Sequence, residues 1–351
     1  MAGTPERGTV ADELVDPHRL ARWMDEQRLA GVGELPTVSR LTGGSQNELF
    51  LVERGGDEMV LRRPPNVAAA GRYEAFGREH RVLAALAETD VPHPCLRAVC
   101  DAVDVLGGPF YLTARIDGWS PMQIGGWAAP FDADLDARAG LAIELVDGIA
   151  RLARVDWKAV GLDDFGHPEG FHDRQVDRWL AFLARVKTRE LPGVDVAADW
   201  LRRHRPEVYE PGILHGDYQF ANVMFRHGAP AKLAAIVDWE MSTIGDPLLD
   251  LGWALISYPA DDRPSSDGMS YVDYTGMPPR DDLLAHYEKV SGRSTDDLIY
   301  YLILARFKLG IVLEQSVARF ARGEADDRVA AFGDTVLGLI RGAAEMAECT
   351  P

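Results

Sequence analysis

Cysteine is scarce in this chain: Cys95, Cys100 and Cys349 are three thiols in 351 residues. Three cannot build a disulfide framework, and their spacing fits no zinc pattern. Positive charge is in deficit as well. Lys and Arg number 37 against 55 Asp and Glu, a formal net charge of −18, which argues against the basic footprint of a nucleic-acid binder. An acidic surface permits a cationic substrate without requiring one, because it also serves solubility. No stretch approaches 18 uncharged apolar residues, so no transmembrane helix is expected. The opening MAGTPERGTVADELVD has no apolar run of the signal-peptide kind, and the expectation is a soluble cytoplasmic protein. Internal repeats and low-complexity tracts are missing. So are a Gly-x4-Gly-Lys-Ser/Thr loop, a His-Glu-x2-His pair and a Gly-x-Ser-x-Gly elbow, which argues against the chemistries those motifs serve.

What is present is ordinary globular material, with 46% hydrophobic and 26% charged residues. The length suggests about two domains or one bilobal unit. A helical pattern over Pro17–Ala30 gives way to a Gly/Pro break at Gly31–Pro36. Strand-like pieces follow at 37–42, 48–53 and 58–63, the first two separated by the turn Gly43-Gly44-Ser45-Gln46-Asn47. A helix at about Glu74–Glu88 precedes strands near Leu96–Asp104 and Pro109–Ile116. Beyond Asp117-Gly118 the period changes: Leu141, Leu145, Ile149 and Leu152 mark one helical face, as do Leu298, Leu302, Ala305, Leu309 and Val312. A small sheet-rich lobe therefore precedes a larger helical one.

The chemistry concentrates in Ile213-Leu214-His215-Gly216-Asp217-Tyr218-Gln219-Phe220-Ala221-Asn222, followed by the apolar runs 223–225 and 233–237 and by Asp238-Trp239-Glu240. The two runs flank a turn-rich segment and read as a β-hairpin. With its turn centred near residue 230, position 222 faces position 238, and Asn222 and Asp238 share its open end beside Asp217. Two carboxylates and an amide oxygen there suit a hard cation such as Mg²⁺. Each residue alone is an ordinary turn former or cap; the combination is not. Further on, Asp246 is a good N-cap with Pro247 at the first helical position, and Asp250 falls in the first turn.

This segment resembles the signature of the aminoglycoside phosphotransferase and choline kinase-like family, relatives of the protein kinases. The subgroup it resembles most includes the kinase-like domain fused to some acyl-CoA dehydrogenases. The resemblance implies an α+β, bilobal protein-kinase-like fold: a small antiparallel-sheet lobe with one main helix over 1–116, a hinge at about 113–118, and a helical catalytic and substrate lobe over 119–351. It implies that Asp217 meets the acceptor hydroxyl, that Asn222 and Asp238 bind Mg²⁺, and that Asp250 braces the catalytic loop.

For the first lobe it implies a phosphate-facing loop at Gly43, Gly44, Ser45 and Asn47, a cation at Arg62 where relatives carry Lys, and a helix carboxylate at Glu79. Glu79 also stands out unaided. It shares a face with Phe76, Leu83 and Leu86, and a carboxylate on a buried stripe needs a cationic partner, for which Arg62 is the natural candidate. The strand ending in Thr113 and Ile116 offers backbone to an adenine edge. The implied activity is transfer of the γ-phosphoryl group of ATP (or GTP) to a hydroxyl of a small molecule. The acceptor is an aminoglycoside or a hydroxylated acyl or other metabolite, and a pseudokinase scaffold without turnover is the alternative. Gly216 stands where protein kinases have Arg and no Ala-Pro-Glu segment follows Asp238, so a protein substrate is not expected; Glu240 replaces the glycine of Asp-Phe-Gly, as is common in the small-molecule branch. Trp179, Trp200 and Trp253 read as core.

Overall fold

A computed structural model describes residues 14–41, 47–65, 72–259, 272–323 and 332–350. The chain forms two compact units. The first comprises residues 1–137, 159–162 and 220–242; the second comprises 138–158, 163–219 and 243–351. The boundary read from the sequence was a single cut near 113–118, whereas here segment 220–242 returns to the first unit.

The first unit is built on a five-stranded antiparallel sheet, ordered β1-β2-β3-β5-β4. Its strands are β1 (Thr37–Leu41), β2 (Glu48–Arg54), β3 (Asp57–Arg63), β4 (Leu96–Cys100) and β5 (Phe110–Ala114). Between β2 and β3, Gly55 and Gly56 both take positive φ, 59° and 78°, the backbone a two-residue hairpin turn demands. Helix α1 (Pro17–Glu26) starts at Asp16, whose side chain accepts the N–H groups of His18 and Arg19. Its Leu20, Trp23 and Met24 close one sheet face with Phe50, Val52, Met59, Leu61, Phe110 and Leu112. Helix α2 (Arg72–Ala85) buries Phe76, Val82 and Leu83 together with Glu79. The hairpin of β7 (Val223–Phe225) and β8 (Leu233–Ile236) is tied to this unit by backbone bonds: Ile236 N–H to Pro92 O, and a reciprocal pair between Trp119 and Phe225.

The second unit is mainly helical. It holds most of α3 (Leu135–Arg154), then α4 (Phe171–Val186) and α5 (Val194–Arg203), and further along the helices α6 (Leu248–Ala254), α7 (Arg280–Ser291), α8 (Leu298–Ala321) and α9 (Phe332–Cys349). The α3 face predicted from its spacing, Leu141, Leu145, Ile149 and Leu152, is buried. Strand β6 (Gly212–Leu214) pairs antiparallel with β9 (Thr243–Gly245), which puts residues 215–217 next to the start of α6. Among the described residues no helix is long and apolar enough to cross a membrane. The architecture is the mixed α+β, kinase-like one: an antiparallel sheet unit followed by a helical one.

Candidate active site

In the first unit, alternation along β3 sends Arg62 and Arg63 to opposite faces. Arg63 is 1% exposed and donates to the carbonyl oxygens of Leu14 and Pro64. Arg62 faces α2, and its Nε lies 2.8 Å from Glu79 Oε2. Its Nη2 donates to Asp238 Oδ1 at 2.7 Å. One guanidinium thus spans a helix carboxylate and the carboxylate just beyond β8, a bridge that the planar Arg fork suits better than a Lys ammonium.

Glu79 is saturated with donors. Beside its ion pair with Arg62 it accepts hydrogen bonds from Asn47 Nδ2 at 3.1 Å and the Tyr111 hydroxyl at 2.9 Å. Tyr111 sits directly across from Arg62 in the β3–β5 register, so the two side chains share a face. Burial pushes the Glu79 carboxyl up, with Arg62 and Tyr111 opposing. Burial also works against the Arg62 charge, but Tyr111, Glu79 and Asp238 more than offset it and hold the group protonated.

Asn222 ends a one-turn 3₁₀ helix, Phe220–Asn222. The β7–β8 register runs Val223↔Ile236, Met224↔Ala235 and Phe225↔Leu233, with an irregularity between Met224 and Phe225. Val237 N–H donates to Asn222 O, so position 222 meets 237 and Asp238 lies one step further along. The expected partner of 222 is 238, one residue further on: Phe225 pairs with Leu233, which centres the turn at 229 rather than 230, and the irregularity recovers only one of the two residues of that shift. Asn222 and Asp238 still flank the same end of the hairpin. Asp238 has φ 67° and ψ 60°, a left-handed conformation costly for a non-glycine residue and concentrated at functional sites. Its side chain is 38% exposed. Among the described residues no group of three or more His, Cys, Asp or Glu could hold a metal. Mg²⁺ is commonly held by one or two carboxylates together with substrate phosphates, and the partly exposed Asp238 carboxylate, at the hairpin end that also carries Asn222, fits that mode.

Gly43, Gly44 and Ser45 fall outside the described residues. Thr113 is buried in β5 opposite Val60, and Ile116 is half-buried in the extended segment after that strand.

In the second unit, Asp217 follows Gly216, whose φ of 86° lies in the left-handed region. Asp217 Oδ1 accepts Gln219 Nε2 at 2.7 Å and the Trp253 indole N–H at 2.8 Å. Asp250 is 1% exposed and accepts the N–H groups of His215 at 2.6 Å and Gly216 at 2.9 Å. This is the bracing geometry expected of it. Burial raises its carboxyl, opposed by His215, those two N–H groups and Lys308. Asp246 caps as its position predicts, with Oδ1 accepting Leu248 N–H at 3.1 Å.

Sequence reasoning missed Tyr111, Trp253 and Lys308. The signals for two of them were present. Trp253 is three residues beyond Asp250 and therefore on the same helix face. Lys308 interrupts an apolar helix, as Glu79 does.

A family model described as "Phosphotransferase enzyme family" matches residues 37–289. Acyl-CoA dehydrogenase family member 11 of Rattus norvegicus is 27% identical over 308 residues, 85% of this chain and 39% of that protein. Family member 10 of Mus musculus is 26% identical over 293 residues, 82% of this chain and 27% of that one. The chain thus spans well under half the length of these curated relatives. A Ralstonia eutropha crystal structure named "putative aminoglycoside phosphotransferase" superposes with a TM-score of 0.81 at 29% identity, covering 95% of this chain and 98% of that one. A Plasmodium vivax ethanolamine kinase shares the fold, with a TM-score of 0.59 at 13% identity over 92% of this chain and 87% of its own. So does a mutant of aminoglycoside phosphotransferase APH(4)-Ia in ternary complex with ADP and hygromycin B, with a TM-score of 0.57 at 15% identity over 93% and 97%. With a family model covering well over half its length, the chain belongs to the phosphotransferase enzyme family.

Proposed function

We propose that this protein transfers the γ-phosphoryl group of ATP, with Mg²⁺, to a hydroxyl of a small molecule. The observation that carries the proposal is the Arg62 guanidinium held on both Glu79 and Asp238. It fixes a permanent positive charge beside the residues suited to a nucleotide-borne cation. Arg62 offers N–H groups to phosphate oxygens as a bidentate fork. Asn222 and Asp238 would hold Mg²⁺, which supplies charge neutralisation on the phosphates. The segment Gly43–Asn47 is assigned to phosphate and Thr113–Ile116 to the base. Asp217, oriented by Trp253 and Gln219, accepts the proton of the acceptor hydroxyl as transfer proceeds. A cytoplasmic setting, where ATP and Mg²⁺ are abundant, suits this chemistry.

The likeness to acyl-CoA dehydrogenase family members supports a hydroxylated acyl or related metabolite as acceptor, and the Ralstonia likeness supports an aminoglycoside. A scaffold without turnover is a second reading. It is favoured by the residue type at position 62, Arg where relatives carry Lys. ATP consumption with and without Mg²⁺, across a panel of hydroxylated acyl and aminoglycoside acceptors, separates them. Acceptor-stimulated turnover supports the transferase, and tight nucleotide binding with no turnover on any acceptor overturns it.

A further inference from the structure

Lys308 lies on α8 with 6% of its surface exposed. A buried ammonium needs partners, and the structure gives it an unusual set. Its Nζ donates to Gly216 O at 2.9 Å. The same atom sits 4.5 Å from the Trp253 ring centroid and 5.6 Å from that of Trp179, two aromatic faces that favour a cation. Of the charged groups facing it, Asp217 on the loop and Asp250 on α6 favour its charge, while Arg178 on α4 opposes it. His215, also on the loop, faces Asp250.

These contacts converge on one glycine. Asp250 takes the N–H of Gly216, Lys308 takes its carbonyl, and so both peptide units flanking a left-handed glycine are held. The Trp253 ring that stacks on the ammonium also donates its N–H to Asp217. The stretch His215–Asn222 contains no Lys or Arg, so α8 supplies this cation to a loop that has none of its own.

We propose that Lys308 is the positioning residue of the catalytic loop, its ammonium fixing the Gly216–Asp217 peptide and the Trp253 indole so that Asp217 meets the acceptor as an oriented carboxylate. This rests on the reading of Asp217 as the base. Lys308 itself exchanges no bond with the substrate. Burial lowers its ammonium to about 8, with Asp217 and Asp250 opposing. Its charge is therefore lost within an accessible pH range, and the loop loosens as that happens.

Three variants and one probe test the assignment. The unmodified chain should show kcat falling above about pH 8 with KM for ATP steady. Lys308→Met removes the charge and keeps the bulk. It should lose about 10–100-fold in kcat near neutral pH, since small misplacements of reacting groups cost that much, and its alkaline limb should vanish. Lys308→Arg, permanently charged, should lack the limb but retain more kcat than the Met variant. Where Lys308→Arg is too large to fold, Lys308→Gln serves as the second neutral variant and should match Lys308→Met. A lysine that only stabilises the fold would lower the melting temperature and leave kcat per folded molecule unchanged.

The Trp253 indole N–H signal in NMR gives a readout without turnover: it should titrate near pH 8 in the unmodified chain and stay flat in Lys308→Met. A titrating indole in a protein that phosphorylates no acceptor overturns the transferase reading and supports the grip of Lys308 on the loop. A flat indole, or Lys308→Met with unaltered kcat, overturns the Lys308 assignment while the transferase reading stands.

Discussion

Each unit sets a cation beside carboxylates at its candidate site, Arg62 in the first and Lys308 in the second, and the two are held differently. Arg62 in the sheet unit uses separate nitrogens for Glu79 and Asp238, and its charge is permanent. Lys308 in the helical unit spends one donor on a backbone carbonyl and is otherwise wrapped by Trp253 and Trp179; its charge is conditional on pH. The carboxylates differ in step. Glu79 accepts side-chain donors, whereas Asp250 accepts the backbone N–H groups of His215 and Gly216. A fork that bridges two side chains can be opened by a competing anion such as a phosphate. A clamp on two peptide units shapes a loop and has no reason to open. On this reading the first cluster is built for ligand exchange and the second for rigidity.

The largest effect should come from the rigid side. Asp217→Ala should cost about 10²–10⁴-fold in kcat, the usual loss for a positioned base, with ATP affinity nearly unchanged. Turnover within a few-fold of the parent would remove Asp217 from the chemistry. On the exchanging side, Arg62→Ala leaves Glu79 buried without its cation. Breaking a buried pair costs about 3–5 kcal/mol, read as a drop in unfolding free energy together with weaker ATP use. Arg62→Met/Glu79→Leu should restore stability but not activity, and Arg62→Lys should keep the fold and part of the activity. Strictly additive melts for the Arg62→Ala and Glu79→Leu single variants would show that the two groups are not coupled.

The readable parts were those in which one residue contradicts its local pattern. Glu79 on the stripe of Phe76 and Leu83 demanded a partner, and Arg62 is that partner at 2.8 Å. Asp250 is different: its place in the first turn of α6 fits a surface cap equally well, the bracing role came only with the family resemblance, and its burial with the N–H groups of His215 and Gly216 is visible in the fold alone. Tyr111 was hidden, because its place beside Glu79 depends on the β3–β5 register, and register follows from tertiary pairing. The one-residue offset in the β7–β8 hairpin has the same origin, since neither the turn centre at 229 nor the irregularity that follows it can be counted from two apolar runs. The return of 220–242 to the first unit rests on bonds such as Ile236 N–H to Pro92 O, between segments far apart in sequence.

Asp238 belongs both to the Arg62 cluster and to the residues suited to a cation. Asp238→Asn keeps a side-chain oxygen able to accept from Arg62 but loses the charge a hard cation prefers. Mg²⁺-dependent ATP affinity should fall on the order of 10–100-fold, at least what loss of an outer-shell partner costs, while affinity without Mg²⁺ changes little. Calorimetric titration of ATP with and without Mg²⁺ measures both. An unchanged Mg²⁺ response would take Asp238 out of the metal site.

The smallest effect is also the most diagnostic of how Glu79 is kept charged. The Tyr111 hydroxyl donates to Glu79 Oε2 at 2.9 Å inside the protein. Tyr111→Phe removes that donor without touching Arg62 or Asn47. Hydrogen bonds to charged groups are worth about 1.5–3 kcal/mol, and with two donors left the loss should sit near the lower end, about 1.5 kcal/mol at neutral pH. Its pH dependence follows from the direction of the Glu79 shift. Burial raises the carboxyl above its ordinary 4.5, with Arg62 and Tyr111 opposing, so between 4.5 and the folded value the native state binds more protons than the unfolded chain. Stability contributed by Glu79 is then fully present below about 4.5 and declines as pH rises through the folded value. Removing the hydroxyl lifts the folded value further and widens that window. The penalty of Tyr111→Phe should therefore be small in acid and grow to its full size toward neutral pH, read by denaturant unfolding at a series of pH values. A penalty that is constant with pH, or larger in acid, would mean that the Tyr111 hydroxyl does not serve the ionised carboxylate.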